Sequence, residues 1–528
     1  MKASRLIEEV FLSIPSDERS MSLKKTLSPL DTDAKNNLAQ CGKDDVRRKT
    51  FLESFQRLCG GQPDAMAQAG GRVNLIGEHV DYPDLQFQGS SPSRLMSMGG
   101  SIQNSFLAAL KGRSDKLLQF YHLDAGEMFS INMGELVELE AKSVEEREQR
   151  VPMEERSAPE WAHHSLACVR ELHRKRPIEH GLDILLTSNV PHGAGMSNSA
   201  ANCVALTLCF KKAYALSDLS DPQAVVEFAR TSERSAYVGG QCGYLDQMLI
   251  VHSKEGQLTA LDYSGNLVSH FTSSLKQPWQ FVAINTLVPH VLAESDYTIR
   301  VSELETGIRL IRKVLDKDVG STYLSLKTYN LLLSELTQTA AIVLPLEDEG
   351  YDLPSDAISS TLESLLKNFQ PLTIGDHPQL NAKDSLSILL KRMRHQKCSS
   401  LIVPEAGRLA QNGDGEGFGR LLDIEGQSLR MSGDFQITGS NGAQDALLDS
   451  GFEAGIKLNL TTHGRMLGGG GGGNVLFLVK RENEKQYREW IDLTRQLYRR
   501  WSAQAFSNEG IGASVIEPSI GAGAELID

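Results

Sequence analysis

A chain of 528 residues is long enough for two or three domains, and its 40% apolar content marks it as globular. A formal net charge of −13 argues against a nucleic-acid surface or an anionic membrane as the main partner, while leaving room for a local basic pocket. The seven cysteines (Cys41, Cys59, Cys168, Cys203, Cys209, Cys242 and Cys398) form no Cys-x-x-Cys pair and no zinc spacing. Together with the lack of any signal-peptide core or apolar run of roughly eighteen residues, this predicts a soluble, non-secreted, cytoplasmic protein with reduced thiols.

Residues 1–44 are polar and mixed, with Pro15 and Pro29, and are expected to form an adaptable extension with function elsewhere. Between 45 and 58, Val46, Phe51, Leu52, Phe55 and Leu58 fit helical spacing, and Gly60-Gly61 stops the element. In AGGRVNLIGEHVDY (69–82) an apolar strand over 73–76 is closed by Gly77 and followed by Glu78, His79 and Asp81. Two carboxylates and an imidazole at a strand end can hold the hydroxyls of a polar ligand; the alternative is a solvated turn. A lone histidine with two acids gives no diagnostic metal geometry. Residues 85–131 read as two strands around a helix near 102–110, and 135–157, with eight glutamates, as a solvated loop or helix face. Trp161 opens a helix running to Arg174 and offers either a flat face for a base or core packing.

A strand, DILLTS (183–188), then delivers the chain to VPHGAGMSNSAA (190–201). Pro191, Gly193 and Gly195 disfavour regular structure, Ser197, Asn198 and Ser199 are helix-capping types, and 200–215 reads as a buried helix with Val204 and Leu208 one turn apart. A glycine loop at a helix N-terminus suits a phosphate; a serine-capped helix after an ordinary turn is the plainer alternative. The loop is neither a Walker sequence nor a dinucleotide fingerprint.

A helix over 222–237 carries Glu233, and Gly239-Gly240-Gln241-Cys242-Gly243 leads to Asp246 before an apolar strand at 248–251. Such an acid is a turn cap or a functional carboxylate. FVAINT (281–286) is a buried strand, and 293–315 a long helix whose start contains Tyr297. After a helix at 325–343, residues 345–383, with four prolines, read as an insertion or mobile connection. Helices follow at 384–397, 402–412 and 416–431. Six glycines (468–473), bounded by Arg465-Met466-Leu467 and the strand NVLFLV, predict a backbone hairpin that approaches another segment closely. A helix at 483–504 and a strand near 513–516 end the chain.

Three blocks in this order carry a resemblance. GRVNLIGEHVDY closely resembles the signature of galactokinases, in the GHMP small-molecule kinase superfamily. The loop is similar to the family's P-x-G-x-G-L-S-S-S-A, matching at Pro191, Gly193, Gly195, Ser197, Ser199 and Ala200, with Met196 for Leu and Asn198 for the middle Ser. Gly464-Arg465-Met466-Leu467 and the six glycines look like the family's C-terminal glycine-rich motif, so the match spans roughly residues 45–525. The resemblance implies an α+β, GHMP-kinase-like two-lobed fold with mixed sheets and helical layers and the active site between the lobes. It divides the chain into the extension 1–44, an N-terminal kinase domain 45–275 and a C-terminal domain 276–528 with the insertion near 345–383.

By the same resemblance the substrates are ATP and a hexose, foremost α-D-galactose, phosphorylated on the anomeric hydroxyl with Mg²⁺. No nucleic acid, membrane or obligate protein partner is implied. Pro191, Gly193, Ala194, Gly195, Met196, Ser197, Asn198 and Ser199 would hold the phosphates, Trp161 would lie near the adenine, and Ser199 and Glu233 would supply the metal ligands. The family's C-G-x-M-D-Q is matched by Cys242, Gly243, Asp246 and Gln247, which implies Asp246 as the catalytic acid/base and Gly243 as facing the sugar. Arg72 would be the fixed cation beside Asp246 that stabilises transition-state charge. Glu78, His79, Asp81 and Tyr297 would orient the hexose. The chain departs from the family at 84–97, at Arg300-Val301 in place of two arginines, and at Ser440–Asp445 in place of Cys-Pro-Glu-Leu-Asp. The altered segments 83–97 and 436–445 keep open a kinase for N-acetylgalactosamine or another hexose, and Asn198 keeps open a catalytically silent sugar/ATP sensor, although such relatives can lose the Ser-Ala pair that this chain retains as Ser199-Ala200.

Overall fold

The computed structural model describes residues 23–26, 44–82, 94–135, 158–235, 238, 242–263, 267–275, 278–288, 296–337, 339–369, 381–438, 442–505, 513–518 and 520–527. Its strands are β1 (Leu23–Thr26), β2 (Ala65–Ile76), β3 (Met96–Gly112), β4 (Leu117–His122), β5 (Glu127–Asn132), β6 (Leu182–Ser188), β7 (Gln257–Asp262), β8 (Leu267–Thr272), β9 (Trp279–Asn285), β10 (Thr462–Met466), β11 (Asn474–Lys480), β12 (Ser514–Ile516) and β13 (Glu525–Ile527). They form two sheets. The nine-stranded sheet runs β1-β5-β4-β6-β3-β2-β13, with β7 joined to β3 and β8 to β7; the four-stranded sheet runs β10-β11-β9-β12. β4 and β6 run parallel, which makes the large sheet mixed.

The principal helices are α1 (Asp44–Cys59), α2 (His163–Lys175), α3 (Asn198–Ala213), α4 (Pro222–Glu233), α5 (Leu245–His252), α6 (Asp296–Leu315), α7 (Leu326–Thr337), α8 (Ile358–Asn368), α9 (Ala382–Asn412), α10 (Gly415–Leu429), α11 (Ala443–Leu458) and α12 (Glu484–Ala505). Helices α2, α3 and α4 cover one face of the large sheet in a core that includes Phe106, Ile184, Leu166, Leu206 and Phe228. A separate core joins α6 to α10, with Leu304, Leu332, Leu362, Leu389 and Leu429. A third holds the two halves together: Val73, Leu75 and Ile76 of β2 pack with Ile402 and Val403 of α9, Phe418 and Leu422 of α10, and Leu476 and Leu478 of β11. The expected α+β architecture is present, and β2 lies at the junction of its parts. The last strand returns to the first half, β13 pairing with β2.

Several local expectations fail, each for a physical reason. Residues 102–110 are part of strand β3, not a helix. The strand is covered on both faces, Phe106, Ala108 and Leu110 facing one core and Leu107 and Ala109 another. The usual alternation is therefore absent, and the apolar run imitates a buried helix. The converse error occurs at 248–251, which belong to helix α5 instead of a strand. Met248 and Leu249 pack against Val80 and Leu261, while Ile250 faces the first core, so the residues 248–250 are covered on different sides and show no helical periodicity.

The residues 345–383 contain α8, whose buried Ile358, Leu362 and Leu365 follow helical spacing and enter the second core. The helices expected at 384–397 and 402–412 are one continuous helix, α9, which carries Pro404 within it. Helix α4 stops at Glu233, short of Tyr237. In the extension, Leu23–Thr26 add a strand to β5; the rest of 1–43, most of the departing segment 84–97 and the glutamate-rich stretch beyond residue 135 lie outside the described residues.

Candidate active site

At its C-terminal end β2 meets two distant segments. A register shift between Gly70 and Arg72 interrupts its pairing with β3. The Arg72 N–H donates instead to the Met196 carbonyl at 3.0 Å. Irregularities of this kind re-aim a side chain. Here the Arg72 guanidinium reaches Asp246, with Nε 2.7 Å from Oδ1, and also donates to the Gly195 carbonyl. The second oxygen of Asp246 accepts from Ser197 Oγ. Strand β2, the glycine loop and the first turn of α5 thus converge on one carboxylate. Arg72 is 5% exposed and Asp246 23%, so the acid keeps an open face. Burial works against the charge on Arg72, but Asp246 and Glu78 outweigh it and hold its ionisation above the ordinary arginine range.

The loop between β6 and α3 is pressed against the glycine run. Gly195 has φ 70°, and a Cβ there would lie 2.9 Å from the Leu467 carbonyl oxygen, so a side chain is both strained and obstructed. The close backbone approach expected of residues 468–473 is found: Gly468 faces Gly195 and Gly473 faces Ala194. The expected serine caps are not. Ser197 occupies the N-cap position of α3 with φ 60° and no side-chain capping bond, its hydroxyl being directed to Asp246. Asn198 Oδ1 accepts from Ser188 Oγ at 2.6 Å, and Ser199 Oγ donates to Glu233 Oε1 at 2.6 Å. Residues 197 to 199 thus point away from the helix end, which carries no side-chain cap and has the N–H geometry and dipole that favour an anion.

Glu233, the last residue of α4, is buried, and its carboxyl is pushed up to about 7 by burial despite hydrogen bonds from Ser199 and from Gln247, whose Nε2 lies 2.6 Å from Oε2. Ser199 and Glu233 together present a hydroxyl and a carboxylate oxygen. That donor set fits Mg²⁺, which takes one or two protein oxygens and completes its shell with water and phosphate. Among the described residues no cluster of three His, Cys, Asp or Glu side chains forms a fuller cage.

On the other side of Asp246, the residues after Gly77 are buried, not a solvated turn: Glu78 is 4%, His79 3% and Asp81 8% exposed. Asp81 Oδ2 accepts from the Leu245 N–H at 3.0 Å, which fixes the start of α5 one residue before Asp246. Gly243 is packed so tightly on Asp81 that a Cβ would fall 2.0 Å from its Oδ2. Burial pushes the Asp81 carboxyl up to about 6 against the Leu245 hydrogen bond, with Asp246 and Glu78 adding to the rise. His79 has φ 58°, a costly conformation for a residue with a side chain. Neighbours on α9 hold it: Gln396 Nε2 donates to the His79 carbonyl at 2.9 Å, and His395 Nε2 lies 3.0 Å from the Glu78 carbonyl. The His79 ring is 2.8 Å, through Nδ1, from the Tyr82 hydroxyl.

The Glu78 carboxylate faces inward. It accepts from Arg465 Nη2 and from the Gly468 N–H at 3.2 Å. Arg465 also pairs with Glu425, whose other oxygen accepts the Gly77 and Glu78 N–H groups at 2.7 and 3.0 Å. Sequence reasoning assigned no role to Arg465, although it stands in the quoted glycine-rich block. Glu425 offered no signal at all, because its partners lie 40 residues away at Arg465 and 348 and 347 away at Gly77 and Glu78. Trp161 stands apart from this cluster: its Nε1 donates to Glu127 Oε2 at 2.8 Å, and its ring meets His122 edge-on at 5.3 Å. Tyr297 lies in the first turn of α6, and its side chain is outside the described residues, as are Gly239 to Gln241.

Comparison with known proteins gives this geometry a lineage. Residues 53–86 match the galactokinase galactose-binding signature, and residues 163–254 match the GHMP kinases N terminal domain. The chain is thus similar, in both matched regions, to the galactokinases of the GHMP kinase superfamily. It is 23% identical over 448 residues to a galactokinase of Lactobacillus helveticus, covering 84% of this chain and 93% of that one. Its fold is similar to that of the Lactococcus lactis galactokinase crystallised with galactose, with a TM-score of 0.64, 21% identity, and coverage of 90% of this chain and 99% of that one. In this galactokinase-like chain the two matched regions contain Arg72, Glu78, His79 and Asp81 in one case, and the glycine loop, Glu233 and Asp246 in the other. No helix among the described residues is long and apolar enough to cross a membrane.

Proposed function

We propose that the protein transfers the γ-phosphoryl group of ATP to the anomeric hydroxyl of a hexose, with α-D-galactose the foremost substrate. The observation that carries this reading is the convergence on Asp246. One oxygen is bound by Arg72 from the sugar-signature strand and the other by Ser197 from the glycine loop. An acid in this position would join the sugar-binding residues to the phosphate-binding loop.

Phosphoryl transfer asks a protein mainly for in-line placement and neutralisation of charge. The loop 193–199 and the uncapped start of α3 would cradle the nucleotide phosphates. Ser199 and Glu233 would hold Mg²⁺, which when bound neutralises charge on the phosphate oxygens. The partly exposed Asp246 would accept the proton of the sugar hydroxyl as it attacks. Arg72, buried and pinned by two oxygens, compensates the charge on Asp246 without having to reorganise. His79 and Asp81, with Tyr297, would orient the remaining hydroxyls, and Trp161 would border the adenine. Glu78, whose Oε2 is held by Arg465 and the Gly468 N–H, would join His79 and Asp81 in orienting the hexose through its other oxygen.

The test is ADP release with ATP and Mg²⁺ across galactose, N-acetylgalactosamine, glucose and mannose, with ³¹P NMR of the product. A sugar 1-phosphate, formed fastest from galactose, is expected. A preference for N-acetylgalactosamine would reassign the substrate. Absence of sugar-dependent ADP release from a chain that binds both ligands would replace the kinase with a sensor.

A further inference from the structure

Beside the sugar-side turn lies a short segment, Asp434 to Ile437, that neither motif contains. Phe435 is fully buried, and its ring stacks on the imidazole of His79 at 4.8 Å between centroids with 26° between planes. The same ring meets His395 at 4.6 Å, and the Arg392 guanidinium lies 6.0 Å from its centroid. Tyr82 at Nδ1 and Phe435 on its face are thus among the side chains that set His79.

The backbone around Phe435 is unusually restrained. The Phe435 N–H donates to the Ser428 carbonyl at 2.7 Å and the Ile437 N–H to the Leu429 carbonyl at 2.9 Å. Between them Gln436 has φ 57°, a strained conformation. Its carbonyl accepts from Arg300 Nε and Nη2 at 3.2 and 3.1 Å, and its side-chain oxygen from Arg392 Nη2 at 3.0 Å. Both arginines are anchored on Glu303. The far end of the segment touches the glycine run, for a Cβ on Gly470 would lie 1.9 Å from the Ile437 carbonyl oxygen. A strained backbone held by buried, paired arginines is more than core filling requires; core filling needs only apolar volume.

We propose that Phe435 is the positioning residue for His79 and thereby sets how tightly the hexose is held. The inference rests on the kinase reading above and deepens it. Stacking fixes the plane of the imidazole, and the arginine-held Gln436 fixes the plane of the phenyl ring. With Nδ1 on Tyr82, the direction in which His79 Nε2 would face a sugar hydroxyl follows from both. A ring that stacks but offers no hydrogen-bonding group of its own acts through the histidine without touching the reacting atoms.

The experiment compares Phe435→Met, which conserves volume but cannot stack, with Phe435→Tyr, which keeps an aromatic face. Phe477→Met, in the core of the small sheet, serves as the control for simple loss of packing. Phe435→Met is expected to raise the galactose KM about tenfold while leaving the ATP KM and kcat within about threefold. Phe435→Tyr should restore most of that loss, and Phe477→Met should lower the thermal midpoint without moving the galactose KM. A galactose KM within twofold of the unaltered chain in folded Phe435→Met overturns the role of Phe435 alone. If Phe435→Met does not fold, a galactose KM in Phe435→Leu that matches that of Phe477→Met overturns it equally. No galactose-dependent ADP release by the unaltered chain overturns both this role and the kinase reading.

Discussion

Two arginine–carboxylate clusters flank the end of β2, and they differ in one respect that separates chemistry from scaffold. In the first, Arg72 binds Asp246, whose side chain is 23% exposed. In the second, Arg465 binds Glu78 and Glu425, with all three side chains 5% exposed or less. A buried ion pair is costly to assemble and more costly to break, because the surviving charge is left without water. The closed cluster is thus suited to holding the glycine run against the sugar-side turn, through Glu78 Oε2 on Arg465 and on the Gly468 N–H. The open one keeps a face of the acid available, at the boundary of the two substrate regions.

Breaking each cluster should give opposite signatures. Arg465→Met leaves two buried carboxylates unpaired and should cost about 3–5 kcal/mol of stability in denaturant titration. A loss under about 1 kcal/mol would show that the closed cluster is not structural. Asp246→Asn, whose amide oxygen still accepts from Arg72, should lower kcat about 10²-fold or more while costing less unfolding free energy than Arg465→Met. Near-normal turnover in that variant removes the aspartate from the mechanism.

Asp81 lies electrically between the clusters and sharpens the contrast through pH. Its carboxyl is raised from 3.8 to about 6, so the folded chain holds that proton more tightly than the unfolded chain. The stability this gives is full below the unfolded value and is lost as pH rises through about 6. Asp81→Asn should abolish that fall, worth on the order of 2 kcal/mol, and flatten the stability curve between about pH 4 and pH 6. An unchanged slope in the variant would mean that another group titrates there. The mildest expected effect is at Glu233→Gln, which should raise the Mg²⁺ concentration for half-maximal activity roughly tenfold, with the galactose KM little changed. An unchanged Mg²⁺ requirement would move the metal ligand elsewhere.

The residues of the candidate site were readable in the chain to the extent that they sat in compact blocks. Arg72, Glu78, His79 and Asp81 fall within eleven consecutive positions (72 to 82), and the glycine loop within ten (191 to 200). Residues that act across the fold left weaker traces. Arg465 was visible only as part of a quoted block, while Glu425 and Phe435 carried no local sign of their neighbours. Secondary structure was least legible where burial is complete, as at Phe106 to Leu110 and at Met248 to Ile250, because a segment covered on every side loses the periodicity that distinguishes strand from helix.

The order of its blocks and their residue types determined, without coordinates, that this chain has an α+β kinase-like fold and which acid, base and glycine groups were available. Only the tertiary structure decided which carboxylate is open and which is closed, that Ser197 turns to Asp246 instead of capping its helix, and that Phe435 faces His79. The reason is physical: backbone preference and glycine placement are local and are written along the chain, whereas burial, charge pairing and ring stacking depend on segments up to several hundred residues apart meeting at one point.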